Sequence, residues 1–206
     1  MRAKPTLPSL ATFAYNNYSQ FGEDGIIEKI FETIGTKSKL CIEFGAWDGF
    51  FASNTANLWT KHGWQAILIE SDQKKAKQLH ENLQRYPACT AICAHVGNKS
   101  PNLLEEILTT HNMLPATIDL LSIDIDDNDY YVFETLNSIH PRIIICEYNP
   151  TLPPELDIHF PPDSYWGCSA GSLIRLAHAK GYELIAMTDT NCFFCHQRRV
   201  STICII

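Results

Sequence analysis

Residues 39–72, KLCIEFGAWDGFFASNTANLWTKHGWQAILIESD, contain the pattern that decides the fold. The apolar run 40–44 has the length of a buried parallel strand, and a turn with two glycines follows it. A helical stretch then leads to a second apolar run, 66–69, which ends in Glu70. Strand, glycine turn, helix, strand and acid in this order predict a βαβ unit that binds a nucleoside.

The turn after the first strand has the pattern E-x-G-x-x-D-G, formed by Glu43, Gly45, Asp48 and Gly49. Glycines let the backbone turn sharply and let a ligand approach it closely. Glu70 follows the turn by about 20 residues, the spacing at which an acid accepts hydrogen bonds from both ribose hydroxyls. A carboxylate beside a phosphate is unfavourable, so Glu43 argues against a pyrophosphate in this turn. The alternative is that Glu43 and Asp48 only hold the turn and cap it.

This turn resembles motif I of the class I S-adenosylmethionine (SAM) methyltransferases, in which an acid near the first strand faces the positively charged methionine half of the cofactor. Upstream, Ser19, Gln20, Gly22 and Asp24 form the pattern S-Q-x-G-x-D. It resembles the element before the first strand in FkbM-like methyltransferases. The runs W-G-x-S-x-x-S-L from Trp166 and G-Y-E-L followed by N-C-F-F resemble the same family's C-terminal pattern.

The resemblance covers nearly the whole chain from residue 18. It implies a single domain, 1–206, with the α/β Rossmann-like class I methyltransferase fold. We therefore expect a mostly parallel seven-stranded sheet, helices on both faces and a C-terminal antiparallel hairpin. An N-terminal arm is expected over 1–17.

The resemblance also implies SAM as the cofactor and a set of residues around it. Residues after the third strand commonly meet the adenine in this fold. Segment 19–24 has a second interpretation, a capping loop before a helix with apolar residues at helical spacing over 26–34. The candidate cofactor-binding residues are Gln20, Gly22, Glu43, Gly45, Asp48, Gly49, Glu70, Ser71, His95, Val96 and Asp124.

The remaining elements follow from apolar periodicity and from breaker residues. Helices are expected over 74–86, 102–110 and 169–180. Strands are expected over 88–96, 120–125 and 143–146, and the final hairpin over 182–187 and 191–196.

A second cluster of acids follows the fourth and fifth predicted strands. The carboxyl ends of parallel strands meet beside the switch in strand order, so these side chains are expected to converge. Oxygen-only ligands suit Mg²⁺ better than zinc. The candidate metal ligands are Asp124, Asp126, Glu147 and Asn149. The alternatives are that the acids cap the helix beginning near Asp129 or orient an acceptor without metal.

This acidic region resembles the metal-dependent sugar and catechol O-methyltransferases, in which the ion chelates substrate hydroxyls. The FkbM-like pattern here is I-D-x-E-G, and the chain departs from it. Asp126 replaces the Glu and Asp127 replaces the Gly.

Segment 150–168 is rich in proline and aromatic residues and is long for a connection inside a domain. Such loops usually form lids or binding walls, so we expect it on the acceptor side of the site. His159, Tyr165 and Trp166 are its candidate lining residues, with His159 a candidate general base. The candidate catalytic residues are therefore Asp124, Asp126 and His159.

The composition of the chain limits the kinds of partner that it is expected to bind. The net charge of −7 over 206 residues argues against nucleic acid, which needs clustered Lys and Arg. No apolar run approaches the roughly 20 residues of a membrane span, so no membrane partner and a cytoplasmic location are expected. The sequence sets no oligomeric state and leaves a homodimer open.

The eight cysteines suggest no metal or haem site. Residues 192–196 spell C-x-x-C-H, the pattern of c-type haem attachment, but they lie in an apolar run typical of a strand. Alternation in a strand places Cys192 and Cys195 on opposite faces. Cys89 and Cys93 lack the second spaced pair that a zinc site needs.

The resulting hypothesis is a SAM-dependent methyltransferase that O-methylates a hydroxyl of a small molecule or glycan, with Mg²⁺ as an optional second cofactor. Two alternatives remain. One is an NAD-dependent oxidoreductase on a related sheet, although the G-x-G-x-x-G pattern is missing. The other is a non-catalytic SAM-binding module.

Overall fold

The computed structural model describes residues 9–126 and 128–197, so Asp127 and residues 1–8 of the predicted arm lie outside it. A short 3-10 helix, Leu10–Phe13, precedes the sheet. The strands are β1 (Leu40–Phe44), β2 (Gln65–Glu70), β3 (Cys89–Cys93), β4 (Leu120–Ile123), β5 (Ile143–Glu147), β6 (Tyr182–Met187) and β7 (Asn191–His196). The helices are α1 (Glu23–Ile34), α2 (Ala56–Lys61), α3 (Gln73–Leu83), α4 (Leu104–Thr110), α5 (Asp129–Thr135) and α6 (Ala170–Ala179).

The strands form one seven-stranded sheet in the order β3-β2-β1-β4-β5-β7-β6. Strands β1 to β5 are parallel, and β7 runs antiparallel to both β5 and β6. The predicted α/β architecture with its final hairpin is confirmed. The strand order reverses between β1 and β4, and in such sheets ligands bind outside the carboxyl ends of the strands at this point.

Two hydrophobic clusters cover the two faces of the sheet, because side chains of each strand alternate between them. Helices α4, α5 and α6 contribute to one cluster, and α1, α2 and α3 to the other. Cys192 and Cys195 belong to different clusters, which confirms that they lie on opposite faces. Both side chains are buried.

Several elements are shorter than predicted. Strand β3 spans five residues rather than the nine of 88–96, and β4 ends at Ile123. The chain leaves the sheet early at both points to enter the loops that carry His95 and Asp124. Part of the predicted N-terminal arm is packed rather than superficial, since Leu10 is buried against the α1 side of the sheet.

The amino ends of β4 and β5 are held by a buried ion pair between Asp119 and Arg142. The carboxylate also accepts hydrogen bonds from the backbone N–H groups of residues 37–39. Arg142 donates further to the carbonyls of Ile34 and Gly35, at 3.0 and 2.8 Å. This network holds together the amino ends of the strands, opposite the carboxyl ends where a ligand is expected.

None of the helices in the described ranges has the length and apolarity needed to cross a bilayer.

Candidate functional site

A cavity of about 410 Å³ lies at the carboxyl ends of β1, β2, β4 and β5, beside the switch in strand order. Most of the sequence-predicted site residues line it, namely Gln20, Glu43, Gly45, Glu70, Ser71, His95, Val96, Asp124, Asp126 and Glu147. The predicted residues that do not line it are Gly22, Asp48, Gly49, Asn149, His159 and Trp166.

Gly45 lets the ends of β1 and β4 come together at the floor of the cavity. Its φ is +77°, and a Cβ there would lie only 1.7 Å from the Asp124 carbonyl oxygen. Only glycine satisfies both conditions. Glycine is therefore required here by the chain's own backbone, and the close approach of a ligand stays a prediction.

Glu70 lies at the end of β2 with its carboxylate turned toward the glycine turn. One oxygen accepts from the Trp47 N–H at 2.9 Å, and the other accepts from the Asp72 N–H at 2.8 Å. Each carboxylate oxygen has about two acceptor positions, so the cavity side retains capacity for ligand hydroxyls.

Glu43 is 4% exposed and already has three donors. It accepts from the hydroxyls of Ser53 and Thr55, both at 2.6 Å, and from the Asn54 N–H at 2.9 Å. Burial is the main reason that the pKa of Glu43 is raised above its ordinary value. Its carboxylate thus shapes the loop between the glycine turn and α2 as well as the cavity wall.

Asp48 holds the turn itself by accepting from the N–H groups of Phe50 and Phe51, at 2.9 and 2.8 Å. Gly49 packs against the α3 side, where a Cβ would lie 2.8 Å from Leu79 Cδ1. The structure places both residues away from the cavity lining.

Segment 17–24 forms a capping loop, the second interpretation of this stretch, and its role in cofactor binding stays a prediction. The Asp24 carboxylate accepts from the N–H groups of Asn17, Tyr18 and Ser19 at 2.7–2.9 Å, which makes a capping loop. Gly22 is the N-cap of α1 with a φ of +100°. Gln20 extends from this loop and lines the cavity.

Asp124, Asp126 and Glu147 converge at the β4 and β5 end of the cavity. One carboxylate oxygen from each lies within 4.8 Å of the others, and this is the group suited to a metal ion in the described ranges. Burial, and then the nearby Asp129, Asp126 and Glu43, raise the pKa of Asp124 to about 7. Burial followed by the charge of Asp124 raises the pKa of Glu147 to about 9. Burial and mutual repulsion thus favour the protonated form of these carboxyl groups, and a cation between them would favour the ionised form.

Asn149 and His159 are directed elsewhere. Asn149 Oδ1 accepts from Thr151 N at 2.9 Å, and its Nδ2 donates to the Trp166 carbonyl at 3.0 Å. The exposed His159 ring stacks on Tyr130 with centroids 4.3 Å apart. The sequence could not show that Thr151, Trp166 and Tyr130 would engage these two side chains.

The cavity is bordered by strained backbone. Seven non-glycine residues in the described ranges have positive φ, and five of them line this cavity. Those five are Trp47, Ala52, Asp126, Asp163 and Tyr165. Such conformations persist where the surrounding structure imposes them, and they concentrate at functional sites.

Sequence reasoning missed the aromatic and basic rim of the cavity. Trp47 is 43% exposed at the cavity, and Lys75 Nζ lies 3.8 Å from its ring centroid. Phe51 lines the same side with its ring 5.3 Å from that of Trp47. The sequence feature that could have indicated this rim is a pair of aromatic residues, Trp47 inside the glycine turn and Phe51 just after it.

Comparisons with known proteins identify the fold. No family model matches the sequence, and no curated protein matches it either. The citrinin polyketide synthase CMeT domain superposes with a TM-score of 0.57 at 11% identity, covering 85% of this chain and 51% of that one. A protein assigned as a sarcosine dimethylglycine methyltransferase from Galdieria sulphuraria gives 0.53 at 13% identity, covering 80% and 62%.

A third structure holds a ligand. The N-terminal domain of EvdMO1 with S-adenosylhomocysteine (SAH) bound gives a TM-score of 0.50 at 11% identity, covering 84% of this chain and 78% of that one. The chain thus spans about half of the first neighbour and less than two thirds of the second. These similarities show a Rossmann-like fold of the kind found in SAM-dependent methyltransferases, and nothing in them singles out the FkbM-like family.

Proposed function

We propose that the chain is a SAM-dependent methyltransferase. The observation that carries the proposal is a single cavity with an acid at each end, Glu70 on β2 and Asp124 after β4, across the switch point of the sheet. The fold that it shares with the SAH-bound domain of EvdMO1 supports the same cofactor.

The residues present fit this cofactor. The carboxylate of Glu70 keeps acceptor capacity on the cavity side for the ribose hydroxyls. Ser71, His95 and Val96 lie on the same side, where the adenine would be held. Asp124 lies at the other end, where an anionic group favours a positively charged ligand. When bound, SAM supplies a methyl group on a positively charged sulfur.

The acceptor side is proposed to lie at Asp124, Asp126 and Glu147 under segment 150–168. The motif resemblance adds the hypotheses that the protein is FkbM-like and that it O-methylates a hydroxyl of a small molecule or glycan. Transfer forms a bond from the acceptor oxygen to the methyl carbon and breaks the carbon–sulfur bond, whose electron pair stays on sulfur. A carboxylate of the cluster accepts the hydroxyl proton, and the walls hold the two reactants in line.

Mg²⁺ is a second way to deprotonate the hydroxyl. Asp124, Asp126 and Glu147 form an oxygen-only donor set with the chemistry that Mg²⁺ prefers. An ion held there would lower the pKa of a bound hydroxyl. In the metal-free alternative the same carboxylates take the proton directly.

Calorimetric titration with SAH tests the cofactor proposal. We expect micromolar binding, and Glu70→Ala should weaken it about a hundredfold, because two hydrogen bonds to a charged group are lost. Repeating the titration with Mg²⁺ shows whether an ion contributes.

Asp72→Ala is the matched control, because Asp72 caps α3 in the same turn yet does not line the cavity. Its SAH affinity should stay within about threefold of that of the unsubstituted chain. If SAH does not bind and NAD does, the methyltransferase proposal is wrong and the oxidoreductase alternative replaces it.

A further inference from the structure

Trp47 has a backbone conformation that does not suit a large side chain. Its φ is +46°, in the left-handed region that glycine and asparagine tolerate and that is unfavourable for a bulky residue. The turn around it is fixed, because Asp48 accepts from the N–H groups of Phe50 and Phe51. Asn82 Nδ2 also donates to the Asp48 carbonyl at 2.8 Å. A tryptophan here is unfavourable for the turn itself, which directs attention to what its side chain does.

The Trp47 ring lies at the Glu70 end of the cavity. The Trp47 N–H donates to Glu70 Oε2 at 2.9 Å, which ties the residue to the end of β2. Lys75, from the first turn of α3, has its Nζ 3.8 Å from the centroid of the ring. The Phe51 ring lies 5.3 Å away on centroids. Because all of these residues line the cavity, the ring belongs to the cavity wall on the β2 side.

This part of the wall presents apolar surface that the protein does not cover. Trp47 is 43% exposed and Phe51 is 62% exposed, although large aromatic side chains are mostly buried. The contact with the Lys75 ammonium group is a cation–π interaction, which fixes the ring but does not bury it. Adjacent exposed rings at the wall of a cavity are typical of a surface that a ligand covers.

The position of the ring indicates which part of the ligand would cover it. Glu70 is the acid proposed to hold the ribose hydroxyls, and the Trp47 N–H binds the same carboxylate. A nucleoside whose ribose is held by Glu70 therefore lies beside the Trp47 ring. Aromatic side chains bind nucleosides by stacking, and each such contact typically strengthens binding about fivefold to a hundredfold.

We infer that Trp47 is a cofactor-binding residue whose ring, held by Lys75 and Phe51, covers the nucleoside half of the cofactor at Glu70. The inference rests on the proposed function for its assignment of the cavity to SAM. It goes beyond that function by adding a residue that the pattern of the glycine turn does not predict, and by stating which half of the cofactor this residue recognises.

Trp47→Asn tests the inference. Asparagine removes the ring, tolerates the positive φ and keeps the N–H that binds Glu70. Calorimetric titration should show an SAH affinity that is lower by about tenfold or more. The affinity for adenosine, measured by competition with SAH, should fall by the same factor, because adenosine contains the half of the cofactor that the ring contacts.

Lys39→Asn is the matched control. Lys39 also has a positive φ, +51°, and it precedes β1 at the end of the strand opposite the cavity. Its side chain is exposed and does not line the cavity. The SAH affinity of this variant should stay within about twofold of that of the unsubstituted chain. Neither variant should lower the midpoint of thermal unfolding by more than about 3 °C.

Fluorescence separates direct contact from an indirect effect on the turn. SAH binding should change the tryptophan emission of the unsubstituted chain. Trp47→Phe should remove most of this change while keeping the SAH affinity within about threefold, because phenylalanine retains an aromatic face. Trp64→Phe should preserve the change, since Trp64 is 3% exposed and lies in the core.

The outcomes separate this inference from the proposed function. If Trp47→Asn keeps the SAH affinity, or weakens the binding of SAH but not of adenosine, the inference is wrong while the cofactor site stands. If Trp47→Phe keeps the full emission change, the ring does not contact the cofactor and the inference is also wrong. If SAH fails to bind the unsubstituted chain, the proposed function fails first, and the inference fails with it.

Discussion

Gly45 joins the two halves of the sheet at the floor of the cofactor cavity. A Cβ at this position would lie 1.7 Å from the Asp124 carbonyl oxygen, so any side chain must push β1 and β4 apart. Gly45→Ala should therefore destabilise the fold by more than about 3 kcal/mol, the range typical of severe overpacking with backbone strain. Chemical denaturation followed by circular dichroism measures the loss.

Gly181→Ala separates the steric effect from the backbone effect. Gly181 has a similar φ of +82°, yet nothing lies within 4 Å of its hypothetical Cβ. The cost there should be only about 1–2 kcal/mol, the penalty of the left-handed conformation. Equal losses for the two variants would mean that the approach to Asp124 carries no energetic weight.

Individual residues also mark the limit of prediction from sequence. Gly45, Glu70 and Asp124 could be placed because glycine turns and strand ends have fixed positions in an open parallel sheet. Asn149 could not, because its hydrogen bonds to Thr151 and Trp166 depend on how a loop folds back on itself. His159 failed to reach the cavity for a similar reason, since its ring stacks on Tyr130 of α5.

At the scale of elements, segment 150–168 is attached to the start of α5 by a reciprocal pair of hydrogen bonds. Asn128 Nδ2 donates to Asp163 Oδ1 at 2.9 Å, and Asp163 N donates to Asn128 Oδ1 at 3.1 Å. Asn128→Asp removes the side-chain donor and sets two carboxylates against each other. Hydrogen exchange at the amides around Asp163 should accelerate about fivefold to tenfold, with little change in the midpoint of thermal unfolding.

Exchanging the two side chains provides the control. The double variant Asn128→Asp with Asp163→Asn recreates one donor and one acceptor, and asparagine tolerates the positive φ of 63° at position 163. Slow exchange should return in the double variant. If it stays fast, the pair does not hold the loop, and the position of Tyr165 at the cavity needs another explanation.

The presence of each helix and strand was easier to predict from the sequence than the residue at which it ends. Strand alternation identified β7 correctly, and Cys192 and Cys195 lie on opposite faces as expected. Helix α3 ends earlier than predicted, at Leu83, and β3 ends at Cys93 rather than continuing through Val96. Apolar periodicity continues past an element when the following loop also packs against the core, so periodicity alone overextends it.

In the molecule as a whole, a stabilising network and the candidate site lie at opposite ends of the strands, which are called here the amino edge and the carboxyl edge of the sheet. The carboxyl edge carries strained residues and mutually repelling acids, which are unfavourable for folding. The amino edge carries the Asp119–Arg142 network. Burial by itself would raise the pKa of Asp119, but the hydrogen bonds from Arg142 and from three backbone N–H groups hold that pKa below its ordinary value.

Removing Arg142 should therefore weaken the fold without affecting the cofactor. Arg142→Met leaves a buried carboxylate without its cation, and breaking such a pair costs about 3–5 kcal/mol. Arg175→Met is the control, because the 3.8 Å pair of Arg175 with Asp157 is exposed and should contribute less than about 1 kcal/mol. Denaturant titration gives both values, and SAH affinity should match that of the unsubstituted chain in each variant.

The pH dependence of the stability of Arg142→Met tests whether loss of the ion pair is what weakens the fold. A lowered pKa at Asp119 stabilises the fold at pH values above the ordinary pKa, and the contribution is lost as the pH falls through the lowered value. The difference in free energy of unfolding between the unsubstituted chain and Arg142→Met should therefore be largest near neutral pH and decrease below about pH 4. If the difference in free energy of unfolding does not depend on pH, the loss comes from the hydrogen bonds to Ile34 and Gly35 rather than from the ion pair. If Arg142→Met also lowers the SAH affinity, the amino and carboxyl ends of the strands are coupled.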